Sequence, residues 1–393
     1  MSSYNFDQLI DRRHTGALKV DALTERYGRP DLTPLWVADM DFLTPPFITE
    51  ALKARLEHSL YGYTLTPEAY WESIRRWLWD RHQFSVERKW MSYIPGIVKG
   101  IGMVVNVFTA PDEKVIIQPP VYHPFRLTPL GNRREVVYNP LILRPDGSYD
   151  MDFDQLSRVA DEKCKVLILS NPHNPAGIVW PRATLERLAD FCYDRGIIVI
   201  SDEIHCDMTL FGHKHTPFAS VSAKAAAQSI TFGAPSKTFN IAGIVSSYSI
   251  VPNPQLRRRF YGWLEANELG DPTIFTPIAT MAAFSPEGEA WRKELVAYIE
   301  ENVRCVERFC REQLPQVKPL RPQASFLVWL DCRGLNLSQR ELNDLFVNKA
   351  HLALNDGEMF GREGIGFMRL NVGSPRSVIE RSLLQLKDAV LAL

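Results

Sequence analysis

From about residue 93 to residue 250, short apolar runs rich in β-branched residues alternate with patterns of helical period. Apolar runs of about four to eight residues are typical of buried strands. The predicted strands are 114–118, 135–139, 165–170, 196–201, 228–232 and 244–250, with helices at 154–160 and 184–195. Strands that alternate with helices form a largely parallel sheet covered on both faces. The pattern therefore predicts an α/β fold.

Four polar or aromatic side chains follow the ends of these predicted strands. They are Tyr122, Asn174, Asp202 and Lys237. In open α/β sheets, ligands bind beyond the carboxyl ends of the strands. The joint placement of the four residues predicts a binding site at that edge of the sheet.

Lys237 stands in the segment Thr-Phe-Gly-Ala-Pro-Ser-Lys-Thr-Phe-Asn at 231–240, among small residues, a proline and hydroxyls. A lysine held in a small, partly dry pocket has a depressed pKa and can act as an amine nucleophile. An amine and a carbonyl group form a Schiff base, which indicates a carbonyl cofactor. The alternative is a solvated Ser-Lys pair in a surface loop.

A strand, a turn and a helix are predicted in succession over 93–102, a stretch that includes Gly96, Ile97 and Val98. Free backbone N–H groups at a helix start bind anions, phosphate in particular. The stretch has neither the lysine-serine pair of a Walker A motif nor the pattern GxGxxG, so neither a nucleoside triphosphate nor a dinucleotide is indicated. A single phosphate ester remains, and Ser236 is a second predicted contact for it.

A cofactor with an aldehyde, a pyridine ring and a phosphate would use all of these groups together. Asp202 would face the pyridinium nitrogen and stabilise its charge. Asn174 could donate to a phenolate oxygen of the ring, and Tyr122 could stack on it. Arg369 could bind an α-carboxylate bidentately. Taken singly, the same residues also fit a helix N-cap, an Asn-Pro turn and a salt bridge.

Several motifs occur in an order that resembles a known family. They are Tyr122, Asn-Pro-His-Asn-Pro-x-Gly at 171–177, Asp-Glu-Ile-His at 202–205, Ser-Lys-Thr-Phe-Asn at 236–240, Arg-Leu-Asn at 369–371, Trp-Val-Ala-Asp-Met-Asp-Phe at 36–42 and Tyr-Gly-Tyr at 61–63. The chain resembles the fold-type I pyridoxal-phosphate (PLP) enzymes of the aminotransferase class I/II superfamily. More narrowly, it resembles the MalY/PatB group of cystathionine β-lyases (C–S lyases).

The resemblance implies a mostly parallel seven-stranded sheet between helices, a smaller α+β domain and a homodimer with shared active sites. It implies that Lys237 binds PLP and removes the substrate Cα proton, and that Tyr122 takes part in catalysis. His205 would contact the cofactor, and Tyr63 would reach the cofactor phosphate of the neighbouring subunit. Arg369 would bind the substrate carboxylate. Trp36, Ala38 and Asp39 would line the substrate side.

The implied reaction is an α,β-elimination of cystathionine, cysteine or a cysteine S-conjugate to a thiol, pyruvate and ammonia. An aminotransferase is the alternative, and a regulatory protein that uses the same fold is a third possibility. Two positions differ from ordinary aminotransferases of this fold, which often have a tyrosine at His205 and an arginine at Val245. Two others depart from the pattern of the family, namely Ala234 and the segment 15–21.

The 393 residues carry a formal net charge of −1, which favours neither nucleic acid nor an anionic membrane as a partner. The six cysteines show no metal-ligand spacing, and no signal peptide or membrane segment is predicted. The expected location is the cytoplasm. Three segments are predicted: 1–45, packing with the small domain; 46–285, the large PLP-binding domain; and 286–393, the small α+β domain.

Overall fold

The structure is a computed structural model that describes residues 4–393, so residues 1–3 of the predicted N-terminal segment lie outside the described residues. The helices are α1 (Leu18–Asp21), α2 (Leu23–Tyr27), α3 (Pro46–Glu57), α4 (Glu68–His82), α5 (Ile97–Phe108), α6 (Pro124–Gly131), α7 (Phe153–Val159), α8 (Arg182–Asp194), α9 (Ala223–Ala227), α10 (Pro254–Ala266), α11 (Phe275–Ala283), α12 (Pro286–Gln313), α13 (Gln339–Asp344) and α14 (Arg376–Leu391). The strands are β1 (Thr33–Pro34), β2 (Met91–Ile94), β3 (Lys114–Ile117), β4 (Glu135–Tyr138), β5 (Ile142–Leu143), β6 (Tyr149–Asp150), β7 (Cys164–Ser170), β8 (Ile198–Asp202), β9 (Ser229–Gly233), β10 (Ser247–Ile250), β11 (Lys318–Leu320), β12 (Leu327–Asp331), β13 (Leu352–Ala353), β14 (Asn355–Asp356) and β15 (Phe367–Asn371).

The central sheet has seven strands in the order β2-β10-β9-β8-β7-β3-β4. Its pairs are parallel except those that involve β10, which runs antiparallel to both neighbours. Alternate side chains of β7 enter different cores: Val166 and Ile168 pack with α5 and α10, whereas Leu167 and Leu169 pack with α7 and α8. The predicted α/β fold with a mostly parallel seven-stranded sheet is therefore confirmed.

A second, four-stranded antiparallel sheet has the order β11-β12-β15-β14. The long helix α12 begins where the side chain of Ser285 accepts a hydrogen bond from the Gly288 N–H group. From the N-terminal segment, β1 pairs in parallel with β13. The β1–β13 pair thus joins the N-terminal segment to the C-terminal part of the chain. The predicted division into three segments stays a prediction.

Some elements differ from the predicted ones. The predicted strand 244–250 begins only at Ser247, because Val245 adopts a left-handed conformation (φ 57°) at the end of a short 3-10 turn. In the predicted small α+β domain, α13 is followed by a π-helical turn over 345–349. The described part of the N-terminal segment, residues 4–45, contains α1, α2 and β1, none of which was among the predicted elements. Short elements of this kind have too few residues to show a period in the sequence.

In the part of the chain that the structure describes, no helix combines the length and the apolar character needed to cross a membrane.

Candidate active site

A cavity of about 300 Å³ lies beyond the carboxyl ends of β7, β8 and β9 and against the N-terminus of α5. Most of the predicted site residues line it: Ala38, Ile97, Val98, Tyr122, Asn174, Asp202, His205, Ser236 and Lys237. The sheet register explains this convergence. Asp202 pairs with Ser170 on one side and with Phe232 on the other, so the loops that follow three adjacent strands leave the sheet at the same level.

Lys237 is partly buried in this cavity, and its Nζ donates a hydrogen bond to the carbonyl oxygen of Ala38 at 2.7 Å. Desolvation of the amine and the charge of Arg369 together lower the pKa of Lys237 to about 8, although Asp39 and Asp202 act in the opposite direction. At this pKa about a tenth of the amine is unprotonated at pH 7, far more than for an ordinary lysine. The group therefore has the properties of a nucleophile and a proton acceptor.

Asp202 ends β8 and is also buried. Its carboxylate accepts a hydrogen bond from the N–H group of Ile204 at 3.1 Å, and burial raises its pKa to about 7. Among residues 4–393, no cationic side chain forms a salt bridge with it. A buried carboxylate without a counter-ion is costly. The site thus fits a bound cation such as a pyridinium nitrogen.

The turn before α5 fits a phosphate. Gly96 has φ 115°, a conformation that side chains rarely adopt, and no side chain caps the helix. The first N–H groups of a helix have no partners within it. Those of Ile97 and Val98 stand at the cavity, and Ser236 lines the same space. A dianion at this position would gain hydrogen bonds and a favourable interaction with the helix dipole.

Arg369 lies behind Asn174 rather than in the cavity lining. Its Nη1 donates to Asn174 Oδ1 at 3.1 Å, and its Nη2 donates to the carbonyl of Trp36 at 2.9 Å and to Asn355 Oδ1 at 2.5 Å. Its buried Nε has no hydrogen-bond partner within the described residues. This leaves a donor for a further oxygen atom. Because the amide oxygen of Asn174 is engaged, its amide N–H groups are available to the cavity.

Two uncharged rings complete the cavity. Burial lowers the pKa of His205 to about 3, so the imidazole is neutral, and its Nδ1 is buried without a hydrogen-bond partner in residues 4–393. Burial raises the pKa of Tyr122, whose phenol therefore stays protonated. Rings of this kind supply a flat apolar surface together with hydrogen-bonding groups for a planar ligand.

Three of the predicted residues lie elsewhere. As far as the structure describes the chain, the cavity lining does not include Trp36, Asp39 or Tyr63. The indole of Trp36 packs edge-on against Tyr27, with ring centroids 5.6 Å apart, and its N–H group donates to the backbone carbonyl of Lys19. Its backbone carbonyl oxygen accepts a hydrogen bond from Arg369. Asp39 is bound by a cation from the N-terminal segment. Tyr63 is 113% exposed, in a stretch without regular structure.

Three residues that support the site were not predicted from the sequence: Asn355, Arg12 and Lys19. Asn355 binds Arg369, while the other two bind the acids of the segment 36–42. A signal for the latter pair was present, since two acids flanking one methionine require cationic partners when they are partly buried. No comparable signal identifies Asn355.

A family model for aminotransferases of class I and II matches residues 30–384. The cystathionine β-lyase PatB of Bacillus subtilis (strain 168) is 42% identical over 98% of this chain and 100% of its own length. Cystalysin from Treponema denticola, whose crystal structure contains PLP, is 34% identical, with a TM-score of 0.95 over 99% of each chain. A PLP-bound protein from Clostridium difficile 630, provisionally assigned as an aminotransferase, is 38% identical, with a TM-score of 0.96 over 98% of this chain and 100% of its own.

Proposed function

This chain belongs to the family of class I and II aminotransferases, and we propose that within it the protein acts as a PLP-dependent carbon–sulfur β-lyase. The proposed substrate is cystathionine, cysteine or a cysteine S-conjugate. The observation that carries the proposal is the presence in one cavity of an amine with a pKa of about 8, on Lys237, and a buried carboxylate without a salt bridge, on Asp202. Each group lacks what PLP would supply, an aldehyde for Lys237 and a cationic ring nitrogen for Asp202.

In this proposal, Asp202 would bind the ring nitrogen of PLP, Asn174 would donate to the ring oxygen and Tyr122 would stack on the ring. The N–H groups at Ile97 and Val98 would bind the phosphate. When bound, PLP supplies an electron sink for the negative charge that develops at the substrate Cα. The buried state of Asp202 strengthens this arrangement, because an ion pair in a dry site is much less screened than one in water.

Lys237 moves the proton in this reaction. Its amine accepts the Cα proton of the bound amino acid, which a pKa of about 8 permits near neutral pH. The Cβ–S bond then breaks, the electron pair leaves with sulfur as a thiolate, and a double bond joins Cα and Cβ. Proton transfer and addition of water give the thiol, pyruvate and ammonia.

Arg369 orients the substrate for this proton transfer. Two of its nitrogen atoms are fixed by neutral oxygen atoms, so its charge has no carboxylate partner in the described residues. A substrate α-carboxylate supplies that partner. Binding at this point restricts the amino acid to orientations in which Cα lies within reach of Lys237, which lowers the entropic part of the barrier.

Transamination is the second candidate, since the family and the provisional assignment of the Clostridium difficile relative both favour it. Both reactions begin with proton removal by Lys237. One assay separates them: the protein loaded with PLP is incubated with L-cystathionine and no keto acid. The lyase releases pyruvate and a free thiol over many turnovers. A requirement for added keto acid, with pyridoxamine phosphate accumulating, would contradict the lyase proposal.

We also propose that the protein is a homodimer whose active sites are shared. The support is the segment 60–65, in which Tyr63 is 113% and Leu65 91% exposed. Large apolar side chains exposed together mark interaction surfaces. A second copy would cover this segment and bring Tyr63 to a cofactor phosphate. Light scattering coupled to size-exclusion chromatography measures the molar mass of the protein, and we expect the mass of two chains. A monomeric mass for a fully active protein would contradict the proposal.

The cytoplasm is the proposed location, supported by six buried cysteines that are all free thiols. Fractionation of cells that express the protein tests this placement.

A further inference from the structure

The segment 36–42 passes over the cavity and is held by two asparagine side chains. Asn371 donates to the carbonyl oxygens of Val37 at 2.6 Å and Asp39 at 2.7 Å. Asn240 accepts from the N–H group of Met40 at 2.9 Å and donates to its carbonyl at 2.9 Å. These contacts fix the backbone on either side of Ala38, whose carbonyl accepts the hydrogen bond of Lys237.

The two acids of the segment 36–42, Asp39 and Asp41, form ion pairs with two cationic side chains that lie earlier in the chain. Arg12 lies 2.7 Å from a carboxylate oxygen of Asp39 and 2.8 Å from one of Asp41. Lys19 lies 2.7 Å from the other oxygen of Asp41 and also donates to the backbone carbonyl of Asp39 at 3.2 Å. We call these four side chains the N-terminal clasp. Lys19 is 0% exposed, so the clasp is a built, partly buried charge network.

We infer that the N-terminal clasp is a positioning device for Lys237: it holds the carbonyl of Ala38 over the amine and sets the net charge that the amine faces. This inference rests on the proposed role of Lys237. It assigns Arg12 and Lys19 as positioning residues, and it reassigns Asp39 from a substrate contact to a member of the clasp.

The burial of the clasp argues that its members depend on each other. Removing one partner of a buried ion pair leaves an uncompensated charge, which destabilises the local structure more than the pair stabilises it. With Arg12 removed, Asp39 keeps a single cation at 3.7 Å, from Lys19. The carbonyl that binds Lys237 belongs to the residue next to Asp39, so a shift of this acid moves it directly.

Two substitutions in the N-terminal clasp are expected to shift the pKa of Lys237 in opposite directions. The charged groups that act on Lys237 are Arg369 from β15, Asp202 from β8 and Asp39 from the clasp. Asp39→Asn removes an anion and lowers the pKa of Lys237 further below its usual range. Arg12→Gln removes a cation that offsets Asp39, and therefore raises that pKa.

The test uses the full chain freed of PLP, with the second-order rate of PLP binding followed by absorbance across pH. Lys237 reacts as the free amine, so the midpoint of the rate profile reports its pKa. The expected shifts are about half a pKa unit or more, downward for Asp39→Asn and upward for Arg12→Gln. Arg13→Gln is the matched control, since Arg13 is exposed and pairs only with Asp11 in the described structure. It should leave the midpoint unchanged.

Shifts of opposite sign, with thermal unfolding midpoints near that of the wild type, support the inference. Shifts in the same direction, or no shift in folded variants, overturn it. If either variant does not fold, Arg12→Lys tests the inference, because it keeps the positive charge but loses the bidentate contact with Asp39. A lower kcat with an unchanged midpoint of the rate profile supports the positioning role. An unchanged kcat overturns it. Absence of any Lys237-dependent reaction in the wild type contradicts the proposed function instead.

Discussion

Lys237 and Tyr63 are both predicted to contact one cofactor, yet they differ in their exposure to solvent and in their position relative to the cavity. Lys237 is partly buried in the cavity, and its amine donates a hydrogen bond to a backbone carbonyl of its own chain. Tyr63 is 113% exposed, and the residues around it form no helix or strand. The comparison shows that one chain brings Lys237, Asp202 and Asn174 together in a single cavity. The segment 60–65, by contrast, is exposed and is not part of that cavity lining in the described chain, which is why we propose that a second copy covers it.

The largest expected effect concerns the buried side of this comparison. Lys237→Ala should lower turnover of L-cystathionine by about 10³-fold or more, because it removes the group that moves the Cα proton. The visible absorbance band of the PLP-loaded protein should disappear with it. Lys99 lines the same cavity but is exposed, so Lys99→Ala is the control and should keep the band. A band that survives in Lys237→Ala would refute the assignment.

Asp202→Asn should lower turnover by about 10²-fold while it stabilises the PLP-free protein at pH 8. The pKa of Asp202 in the folded protein is about 7, above the usual aspartate value of 3.8, so the folded protein binds this proton more tightly than the unfolded chain does. The unfolding free energy of the PLP-free wild type therefore falls as the pH rises from about 4 to about 7, and the whole loss of stability is present above that range. The Asp202→Asn substitution removes this loss, because the amide does not ionise.

Thermal unfolding of the PLP-free Asp202→Asn variant and of the wild type at pH 4 and pH 8 checks this expectation. The two proteins should differ at pH 8 and agree more closely at pH 4. A variant that is less stable at pH 8 would mean that the carboxylate has a stabilising partner. Ile198→Val, on the same strand but outside the cavity lining, controls for general effects of substitution in β8.

On the exposed side, Tyr63→Ser should leave the unfolding free energy of the isolated chain within about 0.5 kcal/mol, since the residue has no packing to lose. The affinity for PLP should nevertheless fall by about tenfold, corresponding to about 1.4 kcal/mol for one lost phosphate hydrogen bond. Equilibrium titration with PLP measures this, and Tyr63→Phe isolates the hydroxyl group. Unchanged affinity in both variants would contradict a shared site.

The smallest expected effect concerns strain at the edge of the cavity. Val245 is β-branched and has φ 57°, which costs about 1–2 kcal/mol for a residue with a Cβ atom. Val245→Asn should raise the unfolding free energy by up to about 1 kcal/mol, because Asn adopts this conformation more readily. Chemical denaturation measures the change. A loss of stability would indicate that packing of the valine outweighs the strain.

Much of the site could be predicted from the sequence because its elements are local. A buried strand shows itself by a short apolar run, and Asp202 or Asn174 follows such a run within a few residues. The order of the motifs was sufficient to place them at one edge of a parallel sheet. The depressed pKa expected for Lys237 agrees with its burial in the structure.

Other properties depend on contacts between distant parts of the chain. Trp36 was expected at the substrate, but its ring packs against Tyr27 because the N-terminal segment folds over it. Asp39 was given the same role, and its carboxylate is occupied by Arg12, which lies 27 residues earlier. The two acids at 39 and 41 indicate that cationic partners are needed, but nothing in the local sequence identifies Arg12 or Tyr27 as the contacting residue.

The sequence by itself therefore determined the α/β sheet, the lysine, the carboxylate and the glycine turn, since apolar periodicity and strand ends are properties of neighbouring residues. Only the tertiary structure decided which cations bind Asp39 and Asp41, which ring Trp36 packs against and that Tyr63 lies outside the lining of the cavity in its own chain. The physical reason is that the free energy of an ion pair or a packed ring depends on distance and burial, which arise only when remote segments meet.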